Sequence, residues 1–153
     1  MKTRIYIAGP FAEPHHREAL LHMIDIVKKA YASDDLDMYI PMEYKVEGDY
    51  QNPDGTWHLP NHEWAREVFD SDCRHLEEAD MVIALYDGRK GTTGTAWELG
   101  YAYGKGIPVI GYIPEYAKKE PMSLMVINSF LGFLQEDGHI ASHNDVIESL
   151  EQK

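Results

Sequence analysis

The chain has 153 residues, enough for one domain that buries roughly two-thirds of the surface its unfolded chain exposes. Its 14 basic and 26 acidic residues give a net charge of −12, which argues against nucleic acid or an anionic membrane as a partner. The single cysteine, Cys73, excludes a disulfide within the chain, and no apolar run reaches the roughly 18 residues of a membrane span. We therefore expect one soluble, cytoplasmic α/β domain over residues 1–153, without a leader segment.

A buried strand and an amphipathic helix are predicted at the start of the chain. Residues 4–11 form an apolar strand that ends at a Gly-Pro pair, residues 15–31 repeat apolar side chains with a helical period, and residues 37–41 form a short second strand. No G-x-G-x-x-G follows the first strand, so a dinucleotide site has no support. Residues 42–60 carry several turn signals, and so long a loop in a compact domain is more often functional than idle.

The helix predicted at about residues 61–79 carries a carboxylate on an otherwise apolar face. The residues of this face are four positions apart: Trp64, Val68, Asp72 and Leu76. If the face points inward, Asp72 must be paired, hydrogen-bonded or functional, because burial of an unpaired charge is costly. If the stripe is rotated, Asp72 lies at its solvated border. Periodicity alone leaves both interpretations open.

Residues 81–112 read as strand, glycine-rich loop, helix and strand, which is one βαβ unit. Ligands of open α/β sheets bind outside the carboxyl ends of the strands, and this places Glu98 at the mouth of such a site. The structural interpretation of Glu98 is a capping box with Thr95 in the first turn of the helix. The functional interpretation is a carboxylate nucleophile, kept ionised by the helix N-terminus and flanked by glycines that let a substrate approach.

The C-terminal part of the chain indicates an interface. Residues 122–133 are predicted to form a helix with more apolar residues than one core-facing stripe needs, and surplus apolar surface of this kind is typical of subunit contacts. A short strand at residues 138–141 and a capped helix at residues 143–152 complete the prediction.

Several other kinds of site find little support. His15 and His16 are expected to face apart on their helix, and no metal-binding spacing is present, so we expect neither a metal ion nor a cofactor. The P-loop, the nucleophile elbow and the protein-kinase motifs are also missing.

Carboxylates with aromatic residues at strand ends suit a flat, partly polar, uncharged ligand such as a nucleoside. Paired carboxylates are also the groups used for chemistry at an anomeric carbon.

The chain resembles the nucleoside 2-deoxyribosyltransferase family over about residues 4–130. The resemblance is carried by Ile5-Tyr6-Ile7-Ala8-Gly9-Pro10, by Asp72 ahead of the strand at 79–84, and most specifically by Gly94-Thr95-Ala96-Trp97-Glu98-Leu99-Gly100-Tyr101-Ala102. It implies a flavodoxin-like (Rossmann-like) open parallel sheet of about five strands with helices on both faces. It also implies ping-pong transfer of 2-deoxyribose between the nucleobases of 2′-deoxynucleosides.

The resemblance implies a role for each of three catalytic residues. Glu98 would attack C1′ of the donor and form a covalent deoxyribosyl-enzyme, which splits one hard displacement into two easier ones. Asp72 would bind the sugar and help to manage the protonation of the base. Tyr6 would hydrogen-bond and orient the nucleophile.

Further residues are expected to bind the substrate. Those within one subunit are Gly9, Phe11, Glu43, Trp64, Thr92 and Gly94. Two of them depart from the family pattern: Thr92 stands where many members carry an aspartate that contacts the base, and Glu43 where some carry a glutamine. Both departures concern recognition of the base and leave the nucleophile unaffected.

A neighbouring subunit is expected to complete each site with a segment like residues 121–125, which implies at least a dimer. Met125 would line the shared site. Ser123 stands where the family has an asparagine that reaches the sugar 5′-hydroxyl, and Asn128 lies one turn further along. Recognition of the 5′-group therefore departs from the family pattern.

Two other functions compete with base exchange. One is an N-glycosidase that hydrolyses 2′-deoxynucleoside 5′-monophosphates, for which a phosphate would need cations from among Arg17, Lys45, Arg66, Arg89 and Lys90. The other is a nucleotide-sensing module without catalysis, which has no need of Glu98, Asp72 and Tyr6 together.

Overall fold

A computed structural model describes residues 1–43, 62–89 and 91–151. Most of the loop predicted at residues 42–60 lies outside this part of the chain, as do Lys45 and Lys90. The strands are β1 (Thr3–Ala8), β2 (Leu36–Tyr39), β3 (Met81–Leu85), β4 (Val109–Tyr112), β5 (Gly132–Leu134) and β6 (Ile140–Ser142). The helices are α1 (Pro14–Ala30), α2 (His62–Glu78), α3 (Thr93–Gly104), α4 (Leu124–Ile127) and α5 (His143–Glu151), with short 3₁₀ turns at Ser33–Asp35 and Glu115–Ala117.

The six described strands form one sheet in the order β2-β1-β3-β4-β5-β6. The first five are parallel, and β6 runs antiparallel to β5 at the edge. The parallel order 2-1-3-4-5 is that of flavodoxin-like folds, which confirms the predicted fold class with one strand added. Because β1 lies between β2 and β3, the ends of these three strands lie side by side.

The pleat of β1 divides its side chains between the two faces of the sheet. Ile7 packs in a cluster with Leu20 of α1. Tyr6 points to the opposite face, where it packs in a second cluster with Leu76 of α2 and Leu99 of α3. The period-two alternation of a strand therefore directs Tyr6 toward the two helices α2 and α3.

The helix predicted over residues 122–133 is wrong beyond its first turn. α4 covers only Leu124–Ile127, and the chain then enters β5. Phe130 packs directly over Gly111 of β4, where a Cβ atom would lie 2.4 Å from its ring. An apolar run that forms first a helical turn and then a buried strand has no single period, and sequence periodicity cannot divide it.

The remaining predicted boundaries lie within two residues of the structure, apart from the end of the first strand: β1 ends at Ala8 and not at residue 11, because the chain leaves the sheet at the Gly-Pro pair. β6 begins at Ile140 rather than at residue 138, because Gly138 has φ +90° and belongs to the turn after β5. No helix in the described ranges is both long enough and apolar enough to cross a membrane.

Candidate active site

Tyr6 of β1 meets Glu98 of α3 on the face of the sheet that α2 and α3 cover. The Tyr6 hydroxyl group donates a hydrogen bond to Oε2 of Glu98. Tyr6 is fully buried and Glu98 is partly buried. A buried tyrosine needs an acceptor for its O–H group, and the glutamate provides one.

Glu98 takes no part in the predicted capping box, and that prediction is wrong. α3 begins at Thr93, so Thr95 lies inside the helix and Glu98 lies in the second turn. Thr92 occupies the N-cap position, but its hydroxyl donates to the carbonyl oxygen of Arg89 at 2.7 Å instead of capping the helix. The Glu98 carboxyl is therefore directed at Tyr6 and not at the helix terminus.

The protonation of this pair is governed by burial. Burial raises the pKa of Glu98 to about 8; the hydrogen bond from Tyr6 opposes this rise and the charge of Asp72 adds to it. The expectation that the helix N-terminus keeps Glu98 ionised is wrong, because the dipole acts within the first turn and Glu98 lies beyond it. Burial and the charges of Glu98 and Asp72 also raise the pKa of Tyr6, so its phenol remains a donor.

Asp72 of α2 lies on a face that points inward. Trp64 and Leu76, from the same stripe, are buried, and Asp72 itself is partly buried. Its Oδ1 accepts a hydrogen bond of 2.9 Å from the hydroxyl of Tyr39. Burial raises the pKa of Asp72, although the hydrogen bond from Tyr39 and the nearby His75 act in the opposite direction. The first of the two interpretations of Asp72, an inward carboxyl with a partner, is the observed one.

Tyr39 and His75 are site residues that the sequence did not predict. Their rings stack with centroids 3.6 Å apart and an interplanar angle of 9°, and the ring of Tyr39 lies 5.4 Å from that of Tyr6. Tyr6, Tyr39, Asp72 and Glu98 are here called the carboxylate cluster. The cluster brings together the three residues predicted to be catalytic, whose roles stay predictions.

The predicted substrate residues near β1 and α3 differ in their surroundings. A Cβ on Gly9 would lie 2.8 Å from Cδ1 of Leu20 and 3.0 Å from Cβ of Leu85, so packing favours a glycine there, whereas Gly94 has no atom within 4 Å of such a Cβ and borders open space. Phe11 packs against the α1 cluster on the other face of the sheet, away from the carboxylate cluster. Trp64 is buried on α2.

The other predicted substrate residues lie apart from the carboxylate cluster. Glu43 is exposed, and its backbone N–H donates to Ile40 at 2.9 Å. Ser123 accepts from the backbone N–H of the third residue after it, Asn128 donates to the carbonyl of Leu124 at 2.8 Å, and Met125 is 76% exposed. Within the described ranges, no hydrogen bond or ion pair joins these residues to the cluster. That Ser123, Met125 and Asn128 contribute to the site of a neighbouring subunit stays a prediction.

A third carboxyl group, Asp87, is fully buried; it follows β3 and was not predicted. It lies 2.9 Å from Nε2 of His16 and accepts hydrogen bonds of 2.9 Å from the hydroxyl of Tyr116 and the backbone N–H of Arg89. Burial alone would raise the pKa of Asp87, but these three partners outweigh it and lower the pKa. Asp87 thereby fastens α1 and the 3₁₀ turn at Glu115–Ala117 to the loop that leads into α3.

The described candidates for a 5′-phosphate site are already engaged. Each guanidinium group has an acceptor in this chain, and solvent-exposed pairs of this kind contribute little to stability. The pairs are Arg17 with the carbonyls of Phe11 and Ala12, Arg66 with Asp70 at 3.0 Å, and Arg89 with Glu120 at 2.7 Å. Lys45 and Lys90 lie outside the described residues.

The two adjacent histidines do not face apart as expected. The ring centroids of His15 and His16 are 4.1 Å apart, and with Glu13 they place ligand atoms within 4.8 Å of one another. This group could approach a metal ion, but it sits at the positive end of α1, which opposes a cation, and His16 already bonds to Asp87. We therefore assign no metal to it.

Comparisons with known proteins identify relatives over most of the chain. Residues 5–143 match a family model described as nucleoside 2-deoxyribosyltransferase. The chain is 23% identical over 124 residues to a nucleoside deoxyribosyltransferase of Lactobacillus leichmannii, covering 81% of this chain and 78% of the relative. It is 26% identical over 87 residues to a nucleoside deoxyribosyltransferase of Lactobacillus johnsonii, covering 57% and 58%. The solved structure of a 2-deoxyribosyltransferase from Bacillus psychrosaccharolyticus has the same fold, with a TM-score of 0.69, 24% identity and coverage of 97% and 96%.

Proposed function

The chain belongs to the nucleoside 2-deoxyribosyltransferase family, and we propose that it exchanges the base of a 2′-deoxynucleoside through a covalent intermediate on Glu98. The observation that carries this proposal is the hydrogen bond from Tyr6 to Glu98 beside a second carboxyl, Asp72. A nucleophile held by a donor, next to a group that can exchange a proton, meets the requirements of covalent glycosyl transfer.

The first half-reaction releases the donor base. An oxygen of ionised Glu98 attacks C1′, the C1′–N bond breaks, and its electron pair leaves with the base. Asp72, in its acid form, gives the departing nitrogen a proton. The raised pKa that burial gives Asp72 supports this role, because it keeps a fraction of the carboxyl protonated at higher pH.

The second half-reaction reverses these steps with another base. The acceptor nitrogen attacks C1′ and loses its proton to the Asp72 carboxylate, while the C1′–O bond breaks and restores ionised Glu98. Two inversions at C1′ give net retention. Through both steps, Tyr6 orients the attacking carboxyl by the hydrogen bond it donates.

The base-exchange assay tests the proposal. Incubation with deoxyinosine and adenine should produce deoxyadenosine and hypoxanthine. If free deoxyribose were the sole sugar product, the activity would be hydrolysis and not transfer. Treatment with a 2-fluoro-arabinosyl nucleoside should give a mass increase on the peptide that contains Glu98, and the lack of any adduct would favour a sensing module or another nucleophile.

The competing activity is hydrolysis of 2′-deoxynucleoside 5′-monophosphates. Thr92 favours it, because this chain there resembles a related branch that hydrolyses such monophosphates and carries a small hydroxyl residue in place of the aspartate of many family members. The engagement of Arg17, Arg66 and Arg89 counts against it, because a phosphate would have to displace an existing partner. Running the assay with 5′-monophosphates as donors separates the two activities.

The exposed apolar side chains near α4 support a site shared between two copies of the chain. Leu124 is 70% exposed, Met125 76% and Leu131 68%. Large apolar groups exposed together are typical of an interaction surface. We assign this surface to a second copy whose Ser123, Met125 and Asn128 reach the substrate.

A further inference from the structure

We propose that Tyr39 is a positioning residue for the exchange: its hydroxyl group holds the carboxyl of Asp72 while His75 holds its ring. This inference rests on the proposed function, because it concerns the proton that Asp72 passes to and from the base.

The contacts form a chain that ends at the Asp72 carboxyl. Nδ1 of His75 lies 2.7 Å from the carbonyl oxygen of Ser71, which fixes the imidazole against the backbone of α2. The imidazole stacks on the Tyr39 ring with centroids 3.6 Å apart. The Tyr39 hydroxyl then lies 2.9 Å from Oδ1 of Asp72 and 3.4 Å from the hydroxyl of Ser71. The backbone of Ser71 thus positions the imidazole of His75, and this imidazole positions the ring of Tyr39.

The position of Tyr39 follows from the sheet. It is the last residue of β2, and the register pairs it directly with Tyr6 of β1. Two tyrosines opposite each other on parallel strands point to the same face. Tyr6 donates a hydrogen bond to Glu98 and Tyr39 donates one to Asp72, so each carboxyl group of the carboxylate cluster has its own phenolic donor.

The groups around Asp72 act on its charge in opposite directions. Burial disfavours the ionised carboxyl, Glu98 of α3 is a second carboxyl that is itself protonated below about pH 8, Tyr6 of β1 donates to Glu98, and Cys73 is a neighbouring thiol on α2 whose pKa burial raises. Tyr39 and His75 favour the ionised carboxyl. Within the described ranges, the Tyr39 hydroxyl is the one donor seen on the Asp72 carboxylate.

This arrangement matters at the moment of proton transfer. When Asp72 gives its proton to the departing base, a carboxylate forms next to Glu98. A hydroxyl donates more strongly to a carboxylate than to a carboxylic acid, so Tyr39 stabilises the product of that step more than its reactant. The same bond fixes the orientation of the carboxyl toward the base.

Tyr39→Phe tests the inference, because it keeps the ring and removes only the hydroxyl. In protein labelled with ¹³C at aspartate side chains, with the Asp72 signal identified from Asp72→Asn, the titration midpoint of Asp72 should move to higher pH. The value of kcat should fall about tenfold while KM stays nearly unchanged. Tyr31→Phe is the matched control, because the Tyr31 hydroxyl donates to Gly138 at 3.1 Å, at a distance from the cluster. It should change neither quantity.

A second variant gives a shift of opposite sign and does not depend on how well Tyr39→Phe folds. Incorporation of 3-fluorotyrosine at position 39 makes the hydroxyl a stronger donor, so the Asp72 midpoint should move to lower pH. His75→Leu removes the stacking ring and should lower kcat, and His75→Phe should restore most of the loss.

Unchanged Asp72 midpoints in both Tyr39 variants would overturn the inference, whatever happens to activity. A different result would contradict the proposed function: the wild-type protein exchanges no base, although the titration midpoint of Asp72 shifts in the Tyr39 variants. The two failures are therefore distinguishable.

Discussion

Tyr6 and Glu98 lie 92 positions apart in the chain and share one hydrogen bond, from the phenol to the carboxylate oxygen Oε2. The pair joins strand β1 to α3; it directs the carboxyl of the proposed nucleophile and opposes the rise in pKa that burial causes. A second pair of this kind, Tyr101 with Glu77, lies on the exposed surface of α2 and α3. The substitutions made in Tyr6 and Glu98 can be repeated in Tyr101 and Glu77, which have no proposed function and therefore serve as controls.

Glu98→Gln should reduce base exchange by several orders of magnitude, because an amide oxygen cannot form the covalent intermediate. Initial rates of deoxyadenosine formation from deoxyinosine and adenine measure the effect. Glu77→Gln should keep wild-type rates. A Glu98→Gln variant with near-normal rates would rule out Glu98 as the nucleophile.

The rate of exchange should rise with pH through about 8, because Glu98 attacks only when ionised and its pKa lies near that value. Tyr6→Phe removes a hydrogen bond that lowers this pKa. The ascending limb of kcat/KM against pH should therefore move to higher pH, with a loss of about tenfold at neutral pH that is smaller in alkaline buffer. Tyr101→Phe should leave the profile in place. An equal loss at every pH would assign Tyr6 to orientation alone.

Glu98 should also make the stability of the wild type depend on pH. Its pKa is about 8 in the folded protein against the ordinary value of 4.5, so the folded state holds a proton that the unfolded state has already released. Stability is then greatest below about pH 4.5 and falls as pH rises toward 8. Glu98→Gln cannot ionise and should be more stable than the wild type at pH 8.5, by roughly 2–4 kcal/mol, and equal to it at pH 4. Denaturant unfolding at the two pH values checks this, with Glu77→Gln as the control that should show no difference.

Gly88→Ala should be more damaging than Gly106→Ala. Both glycines have positive φ, +72° and +75°, so each substitution should cost about 1–2 kcal/mol of unfolding free energy. A Cβ at Gly88 would also lie 2.5 Å from the carbonyl oxygen of Pro121, whereas Gly106 has no atom within 4 Å. Gly88→Ala should therefore unfold at lower denaturant and raise KM by displacing the segment that leads into α4. Equal losses in both variants would show that the contact with Pro121 adds nothing.

Met125→Asp should weaken both self-association and exchange, because it places a charge on the exposed apolar surface assigned to a second copy. Leu21→Asp, at a residue 52% exposed on α1, is the control. Sedimentation and exchange rates measure the effect. Mixing Met125→Asp with Glu98→Gln should restore some activity, because one of the two shared sites in a mixed pair then carries neither change. A monomeric Met125→Asp protein with full activity would contradict the shared site.

The parts of the site that sequence could predict are those with a local pattern. The family resemblance indicated Tyr6, and the spacing by four placed Asp72 with Trp64 and Leu76. The prediction of a capping box at Thr95 was wrong because a helix interior can contain the same residue pattern, and the helix begins earlier, at Thr93. Local pattern does not fix where a helix starts.

Tyr39 and His75 could not be found in this way. Tyr39 reaches Asp72 only because β2 pairs with β1 in the register that sets Tyr39 beside Tyr6, and strand register is a property of the assembled sheet. Asp87 escaped prediction for a related reason, since its partners His16 and Tyr116 come from distant elements. In the run after Pro121, the helical turn ends before Phe130, whose ring packs over Gly111 of β4, and a contact between such distant residues has no local pattern.

The pairing of β1 with β3 also has a consequence for the order in which the enzyme folds. β1 is synthesised first, yet its pairing with β3 must wait until residues 81–85 have been made, and Glu98 follows later still. Non-local parallel pairing of this kind is intrinsically slow, because the entropy of closing a long loop is lost before any stabilising contact forms. Helix α1 can form from local contacts well before Tyr6 has a carboxyl group to meet, because Glu98 of α3 follows β3 in the chain. Catalytic competence would therefore be among the last properties that the folding chain acquires.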